Sequence, residues 1–189
     1  MISPKNFLIA DFEFTTFDTP FGRPKGFFPE IVEVGAVLLS TNLSDMQKVY
    51  QTFVKPRLFP KLSEACKNIA MLTQEDINQG IDWAEAMGKL AEHYTAGQTW
   101  LVAWGDADWQ VIQNNCNKYK LDCPFQFADY LDLALAYRQY YAKDRTLSLH
   151  HAIDEQQIQR EGNYHLALDD AFNTGLLLCR MWENGWRPE

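Results

Sequence analysis

The sequence predicts an α/β protein built on one mixed β-sheet, with an antiparallel start, then parallel strands, flanked by helices. Three observations predict it. Ile31–Leu39, rich in Val and Ile, and Gln47–Val54 lie either side of a turn-forming stretch at 40–45, the pattern of a hairpin. A short apolar run, Phe7–Phe12, precedes them as a buried strand. From Trp100 onward, short apolar runs alternate with helical patterns, the order of parallel crossovers.

Between the first two strands, Thr15–Pro29 carries Pro20, Pro24, Pro29, Gly22 and Gly26 and reads as a loop. Residues 63–71 read as a helix, and Thr73–Asp76 opens a further helical turn. Asp82-Trp-Ala-Glu85 has the spacing of a capping box, leading a helix that ends near Gly97. Trp100–Trp104 is a fourth strand running directly into a helix through Tyr119. Asp129–Asp132 is a short strand at the entry to a helix over 133–141, and Thr146-Leu-Ser148 caps another short helix. The last helix runs from about Leu166 to Glu183, stopped by Asn184-Gly185.

The chain has 189 residues, 47% hydrophobic and 14% aromatic, which suits one domain over 1–189 with a proper core and excludes disorder. Its net charge of −8 argues against a protein held to nucleic acid or membrane by bulk positive charge. Met1–Phe14 lacks the apolar core and cleavage site of a signal peptide, and no run approaches the roughly 20 apolar residues of a spanning helix. Cys66, Cys116, Cys123 and Cys179 form no C-x-x-C pair and no zinc-ligand spacing, so they read as reduced thiols of a cytoplasmic protein.

Three acidic groups stand where a core is expected. Asp11 and Glu13 are two apart in the first strand, so they share a face among Phe7, Leu8, Ile9, Phe12 and Phe14. Either the strand ends at Ala10 and both acids are solvated, or they need a divalent cation to relieve their burial and mutual repulsion. Oxygen ligands suit Mg²⁺ or Mn²⁺. Asp106 and Asp108 follow the fourth strand, where α/β proteins place ligand sites and where an Asp also serves as a helix cap. His165 precedes the last helix and Asp170 lies one turn into it, with Asp169 beside it; the alternatives are a surface imidazole and acids favoured by the helix dipole.

Taken together and in this order, the three groups resemble the DEDDh branch of the DnaQ-like 3′–5′ exonucleases, which have a ribonuclease H-like fold. Asp11-Phe-Glu13-Phe-Thr15 resembles the first motif, Glu30-Ile-Val-Glu33-Val-Gly-Ala-Val the second strand, and Met71-Leu-Thr-Gln-Glu-Asp-Ile the segment that seats the substrate's 3′ end. His165-Leu-Ala167-Leu-Asp-Asp170-Ala resembles the third motif. The subgroup it most resembles trims histone mRNA and small RNAs and includes bacterial relatives. The middle motif departs: members usually carry His-Asn-x-x-Phe-Asp where this chain has Ala103-Trp104-Gly105-Asp106-Ala107-Asp108. Aligning on the following helix, with Val111 and Ile112 as buried neighbours, the resemblance places Asp108 at the metal-ligand position, Asp106 as a nearby cap or as a group behind the metal ligands, and Trp104 as a stacking surface.

The resemblance implies two divalent ions, Mg²⁺ or Mn²⁺, roughly 3.5–4 Å apart about the scissile phosphate. Asp11 would bridge them, Glu13 and Asp170 would complete one site, Asp108 would act through water, and His165 would take the proton of the attacking water. Imidazole is the side chain that ordinarily titrates nearest neutrality. Backbone groups around Phe14 and Thr15 would hold the terminal hydroxyl, with Phe14 and Leu72 wedged against the last bases. The implied partners are 3′ ends of single-stranded nucleic acid, RNA favoured and DNA open, with no membrane; a homodimer is left open. Arg23, Lys25, Arg138, Lys143 and Arg145 are candidate phosphate contacts or solvated charges, and Tyr137, Tyr140 and Tyr141 read as helix packing. Two ions would offset half of the −8 where phosphate approaches. Two other functions remain: a catalytically silent nucleic-acid-binding adaptor, and a hydrolase of very short oligonucleotides.

Overall fold

Strand β1 (Asn6–Phe14) is the axis of the molecule. The computed structural model describes residues 5–17, 23–43 and 45–188; Pro20 and Gly22 of the predicted loop and Ser44 of the predicted turn lie outside the described residues. On one side β1 pairs antiparallel with β2 (Ile31–Ser40), which pairs antiparallel with β3 (Met46–Phe53). On the other it pairs parallel with β4 (Thr99–Ala103), which pairs parallel with β5 (Tyr130–Asp132). The five strands run β3-β2-β1-β4-β5, the mixed sheet predicted.

Seven helices cover it among the described residues: α1 (Glu64–Ala70), α2 (Gln74–Gln79), α3 (Trp83–Ala91), α4 (Ala107–Tyr119), α5 (Leu133–Tyr140), α6 (Leu149–Glu155) and α7 (Ala167–Glu183). Strand alternation divides the core. Leu8, Ala10 and Phe12 pack with Trp83 and Leu90 of α3 and Ile112 of α4. Phe7 and Ile9 point the other way, onto Leu133 of α5, Ile153 of α6 and Leu177 of α7. No described helix is long and apolar enough to cross a membrane, and all four cysteines are free.

Two local expectations change. The helix predicted to reach Gly97 ends at Ala91. Asp129 draws the following segment into turns, accepting from the Tyr94 hydroxyl and from the Gly97 N–H at 2.9 Å. The capping box predicted at Asp82 is absent: Asp82 accepts from Ala84 N at 2.9 Å and from Arg57 Nε at 3.0 Å, while Glu85 pairs with Lys89. The reciprocal pair forms instead at Thr73 and Asp76, where each side chain caps the other's N–H. Tyr137 is helix packing, buried with its ring 5.7 Å from Trp104 and 4.6 Å from Tyr141, whereas Tyr140 is 40% exposed.

Candidate active site

The parallel pairing of β1 with β4 stops at Ile9↔Val102, but its pairing with β2 continues to Phe14↔Ile31. Residues 10–14 therefore run past β4 and leave one edge of β1 open. This is the place where the strand order reverses direction, the usual position of a crevice in an open sheet.

Asp11 and Glu13 lie on the same face as Phe7 and Ile9, the face that α7 covers. The register sets Gly35 of β2 opposite Asp11, and Glu33 opposite Glu13. A Cβ on Gly35 would stand 2.1–2.4 Å from backbone atoms of Ala167 and Leu168, so the start of α7 lies directly on β2. Glu33 has no exposed surface and fastens that contact, accepting from Ala167 N at 3.3 Å and from Gln51 Nε2 at 3.0 Å. These residues bring Asp170, one turn into α7, to the acids of β1. Glu33 and Gly35 enter the sequence motifs only through the family resemblance, yet an acid and a glycine interrupting an otherwise apolar strand are a local signal of their own.

Asp108 and Asp106 face different ways. Asp108 is 7% exposed and bonds the backbone of Phe12, between Asp11 and Glu13. Asp106 is exposed at the N-cap of α4, makes no side-chain bond to the helix backbone, and accepts from Gln110 Nε2. Trp104 turns inward, its Nε1 donating to Leu147 O at 3.1 Å and its ring on Tyr137. The exposed indole expected from the sequence is thus held in packing.

His165 stands at the rim with its side chain 57% exposed and Nδ1 3.9 Å from Glu13 Oε1. Its φ is +61°, a left-handed conformation that costs a non-glycine residue on the order of 1–3 kcal/mol and clusters at functional sites. Asp170 Oδ2 accepts the His165 N–H at 2.9 Å. Donor atoms of Glu13, His165 and Asp170 lie within 4.8 Å of one another. On the other side of β1's end, Thr15 is buried, its N–H donating to Glu30 O at 2.8 Å and its hydroxyl accepting from Glu30 N at 2.9 Å. The Phe14 carbonyl accepts from Cys66 Sγ at 3.7 Å, tying β1 to α1. Leu72 is 4% exposed beside Val32, Cys66 and Ile77, while Met71 next to it is 62% exposed. Arg23 lies over the Phe27 ring, and Lys143 pairs with Glu155.

The carboxylates resist ionising together. Burial, then Asp108, Asp170, Glu13 and Glu33, raise Asp11 well above the usual carboxylate range. Burial, then Asp170 and Glu33, push Glu13 up to about 7. Burial, with Glu13 and Asp132, pushes Asp108 up to about 8 against the Phe12 bond, and burial raises Asp170. Asp170 Oδ1 is buried with no hydrogen-bond partner. An orphaned carboxylate oxygen beside mutually repelling acids is a donor set that fits a hard divalent cation, which Asp11, Glu13, Asp108 and Asp170 would hold.

The sequence profile of the exonuclease family (RNase T) matches residues 8–178. The chain belongs to this exonuclease family. Among its relatives, the probable 3′-5′ exonuclease KapD of Bacillus subtilis is 33% identical over 174 residues, covering 92% of this chain and 82% of that protein. ERI1 exoribonuclease 2 of Mus musculus is 28% identical over 200 residues, which is 94% of this chain but 28% of the mouse protein. The nuclease domain of 3′hExo, a DEDDh family member bound to rAMP, superposes with a TM-score of 0.81 at 25% identity, covering 96% and 94% of the two chains. A 3′-exonuclease recognising a histone mRNA stem-loop gives 0.84 at 22% identity, covering 98% and 84%, a likeness of fold. The exonuclease resemblance read from the motifs, the ribonuclease H-like fold and the subgroup hold.

These raised values set a pH dependence. Unfolded carboxylates titrate near ~4. Between there and about 7–8, the metal-free native state binds more protons than the unfolded chain, so its stability falls as pH rises across that window. The melting temperature of EDTA-treated protein is expected to drop by roughly 3–8 °C from pH 5.5 to 8, at about 2–4 °C per kcal/mol for a chain this size. Added Mn²⁺ should restore more at pH 8 than at pH 5.5, because protons compete for the same oxygens. A melting temperature that rises with pH in EDTA would contradict this.

Proposed function

We propose that this protein is a divalent-metal-dependent 3′–5′ exonuclease. It removes nucleoside 5′-monophosphates one at a time from 3′ ends of single-stranded nucleic acid, with RNA favoured over DNA. The observation that carries the proposal is the convergence of Asp11 and Glu13 of β1, Asp108 of α4 and Asp170 of α7 on the open end of β1, with His165 at the rim. The family match and the 3′-5′ exonuclease relatives support the reaction and its polarity. Neighbours bound to rAMP and to a histone mRNA stem-loop support RNA.

Bound Mg²⁺ or Mn²⁺, two ions in this reading, would supply Lewis-acid stabilisation of the phosphate and a more acidic water. The chain's own residues do the rest. Asp11, whose carboxylate feels Asp108, Asp170 and Glu13, would hold the ions together with Glu13 and Asp170, and Asp108 would assist through water. With Nδ1 turned to Glu13, His165 takes the proton of the attacking water on Nε2. Leu72, expected to wedge against the last bases, is instead buried with Val32, Cys66 and Ile77; Phe14 and Thr15 would form the wall on the base side. The half-buried Phe14 ring is the part of it that meets a base, and the Thr15 N–H, engaged with Glu30, holds the wall rather than the terminal hydroxyl.

A 5′-labelled single-stranded RNA should shorten stepwise from its 3′ end in Mn²⁺ or Mg²⁺, and EDTA should stop it. His165→Ala should slow turnover by about 10²–10⁴-fold while Mn²⁺ binding persists. Asp108→Asn should lose activity and Asp106→Asn should keep it. A protein that binds RNA but yields no metal-dependent product is an adaptor, and one that cleaves only two- to five-residue oligomers is a specialised hydrolase; either result replaces this proposal.

A further inference from the structure

His165 presents a difficulty as a base. It sits on an exposed segment, its side chain more than half in solvent, in a backbone conformation unfavourable to its residue type. Such a residue holds its place only if its surroundings determine it.

The determinants lie on α7. Three alternate backbone N–H groups of the segment each donate to an α7 side chain. Glu161 N donates to Asn173 Oδ1 at 3.0 Å, Asn163 N to Asp169 Oδ2 at 2.9 Å, and His165 N to Asp170 Oδ2 at 2.9 Å. Asn173 has no exposed surface, and its Nδ2 returns bonds to Glu161 O and Asp169 O, both at 2.8 Å. At Gly162 (φ +66°) a Cβ would stand 2.1 Å from the Asp169 carboxylate, so segment and acid are in direct apposition. Lys48 Nζ, 3.8 Å from Asp169 Oδ1 and over the Phe172 ring, steadies that carboxylate from β3. Arg160 lies 3.9 Å over the ring of Tyr164, the residue before the imidazole.

We propose that Asp169 and Asn173 are positioning residues for His165. They are one helical turn apart and grip residues 161–163, so the imidazole is carried at a fixed height above Glu13 and Asp170. Asp169 in this account is neither a cation ligand nor merely a favourable charge at the start of α7. Its work is done through the Asn163 N–H, two residues before His165 on the segment that carries the imidazole. The proposal rests on the reading of His165 as the base.

The test is a double-mutant cycle on the full chain with the RNA substrate, measuring kcat, KM and Mn²⁺ affinity. Asp169→Ala should lower kcat about 10–50-fold with KM and Mn²⁺ affinity within about 2-fold of wild type. Asp169→Asn, which keeps an acceptor for the Asn163 N–H, should recover to within about 3-fold. In a His165→Ala background, Asp169→Ala should cost less than about 2-fold, because the group it positions is gone. If Asp169→Ala does not fold, Gly162→Ala takes its place in the same cycle with the same expectation. Equal losses in both backgrounds overturn the positioning role while leaving His165 as base. A His165→Ala protein of full activity overturns the base itself, and this role with it. A loss of Mn²⁺ affinity equal to the loss of rate would make Asp169 part of the cation site instead.

Discussion

Asp11→Asn is expected to remove at least about 10³-fold of the exonuclease rate and, in the same protein, to raise the melting temperature measured in EDTA by about 3–8 °C. The two effects have one cause. Asp11 is the acid on which the others act most: Asp108, Asp170, Glu13 and Glu33 all raise it, on top of its burial. Without a cation, the folded protein must either hold a proton there or endure the repulsion, and an amide of the same shape removes both costs. With a cation, the same carboxylate is the donor that the amide cannot replace, since a neutral oxygen compensates little of the charge. Folding of the variant is read from its melting curve and catalysis from the labelled RNA. A variant that is inactive because it is unfolded, or active at near wild-type rate, is incompatible with this account. The stabilisation should also shrink towards pH 5, where the wild-type acids are protonated and the repulsion is already absent.

Gly35→Ala is the second large expectation, and it acts at a distance from any cation. The added methyl would stand 2.1–2.4 Å from the backbone of Ala167 and Leu168, and backbone cannot swing aside as a side-chain terminus does. Relief requires α7 to lift from β2. That breaks the Glu33 contact with Ala167 N and withdraws Asp170 from Asp11 and Glu13. The cost is expected to be about 3–5 kcal/mol, with activity lost even where some folded protein survives. Gly88 in α3 is the control: nothing lies within 4 Å of its Cβ position, so Gly88→Ala should be neutral or stabilising by up to about 1 kcal/mol. Urea midpoints of the two variants decide it. Similar midpoints would mean the helix accommodates the methyl without moving.

Much of this was readable because its rules are local. The i, i+2 spacing of Asp11 and Glu13 puts both on one strand face wherever the strand goes, and the step from His165 to Asp170 brackets the start of a helix. The mixed character of the sheet, antiparallel first and parallel later, followed from the hairpin spacing and the crossover pattern. What escaped depends on partners far along the chain. The end of α3 is set by Asp129, more than thirty residues away, and Asp82 is drawn to Arg57, so its capping-box spacing had no effect. Gly35 looks like any strand glycine until a helix more than a hundred residues later lies on it. Trp104 is an aromatic beside an active-site motif, and only Tyr137 and Leu147 reveal that its ring belongs to the core.

The open edge of β1 has one more consequence. Beyond Ile9 no strand covers that side, and the carboxylate of Asp108 occupies part of the vacant ladder by taking the Phe12 backbone. A side chain from a helix thus stands in for a neighbouring strand, and the bond is stronger when that carboxyl is ionised. If a cation binds as proposed, residues 10–14 of β1 are the part of the sheet whose local unfolding it would govern. Amide hydrogen exchange there should slow on Mn²⁺ addition, with residues 6–9 protected in both states. The stretch that presents Asp11 and Glu13 would then be the one whose order reports that a cation is bound.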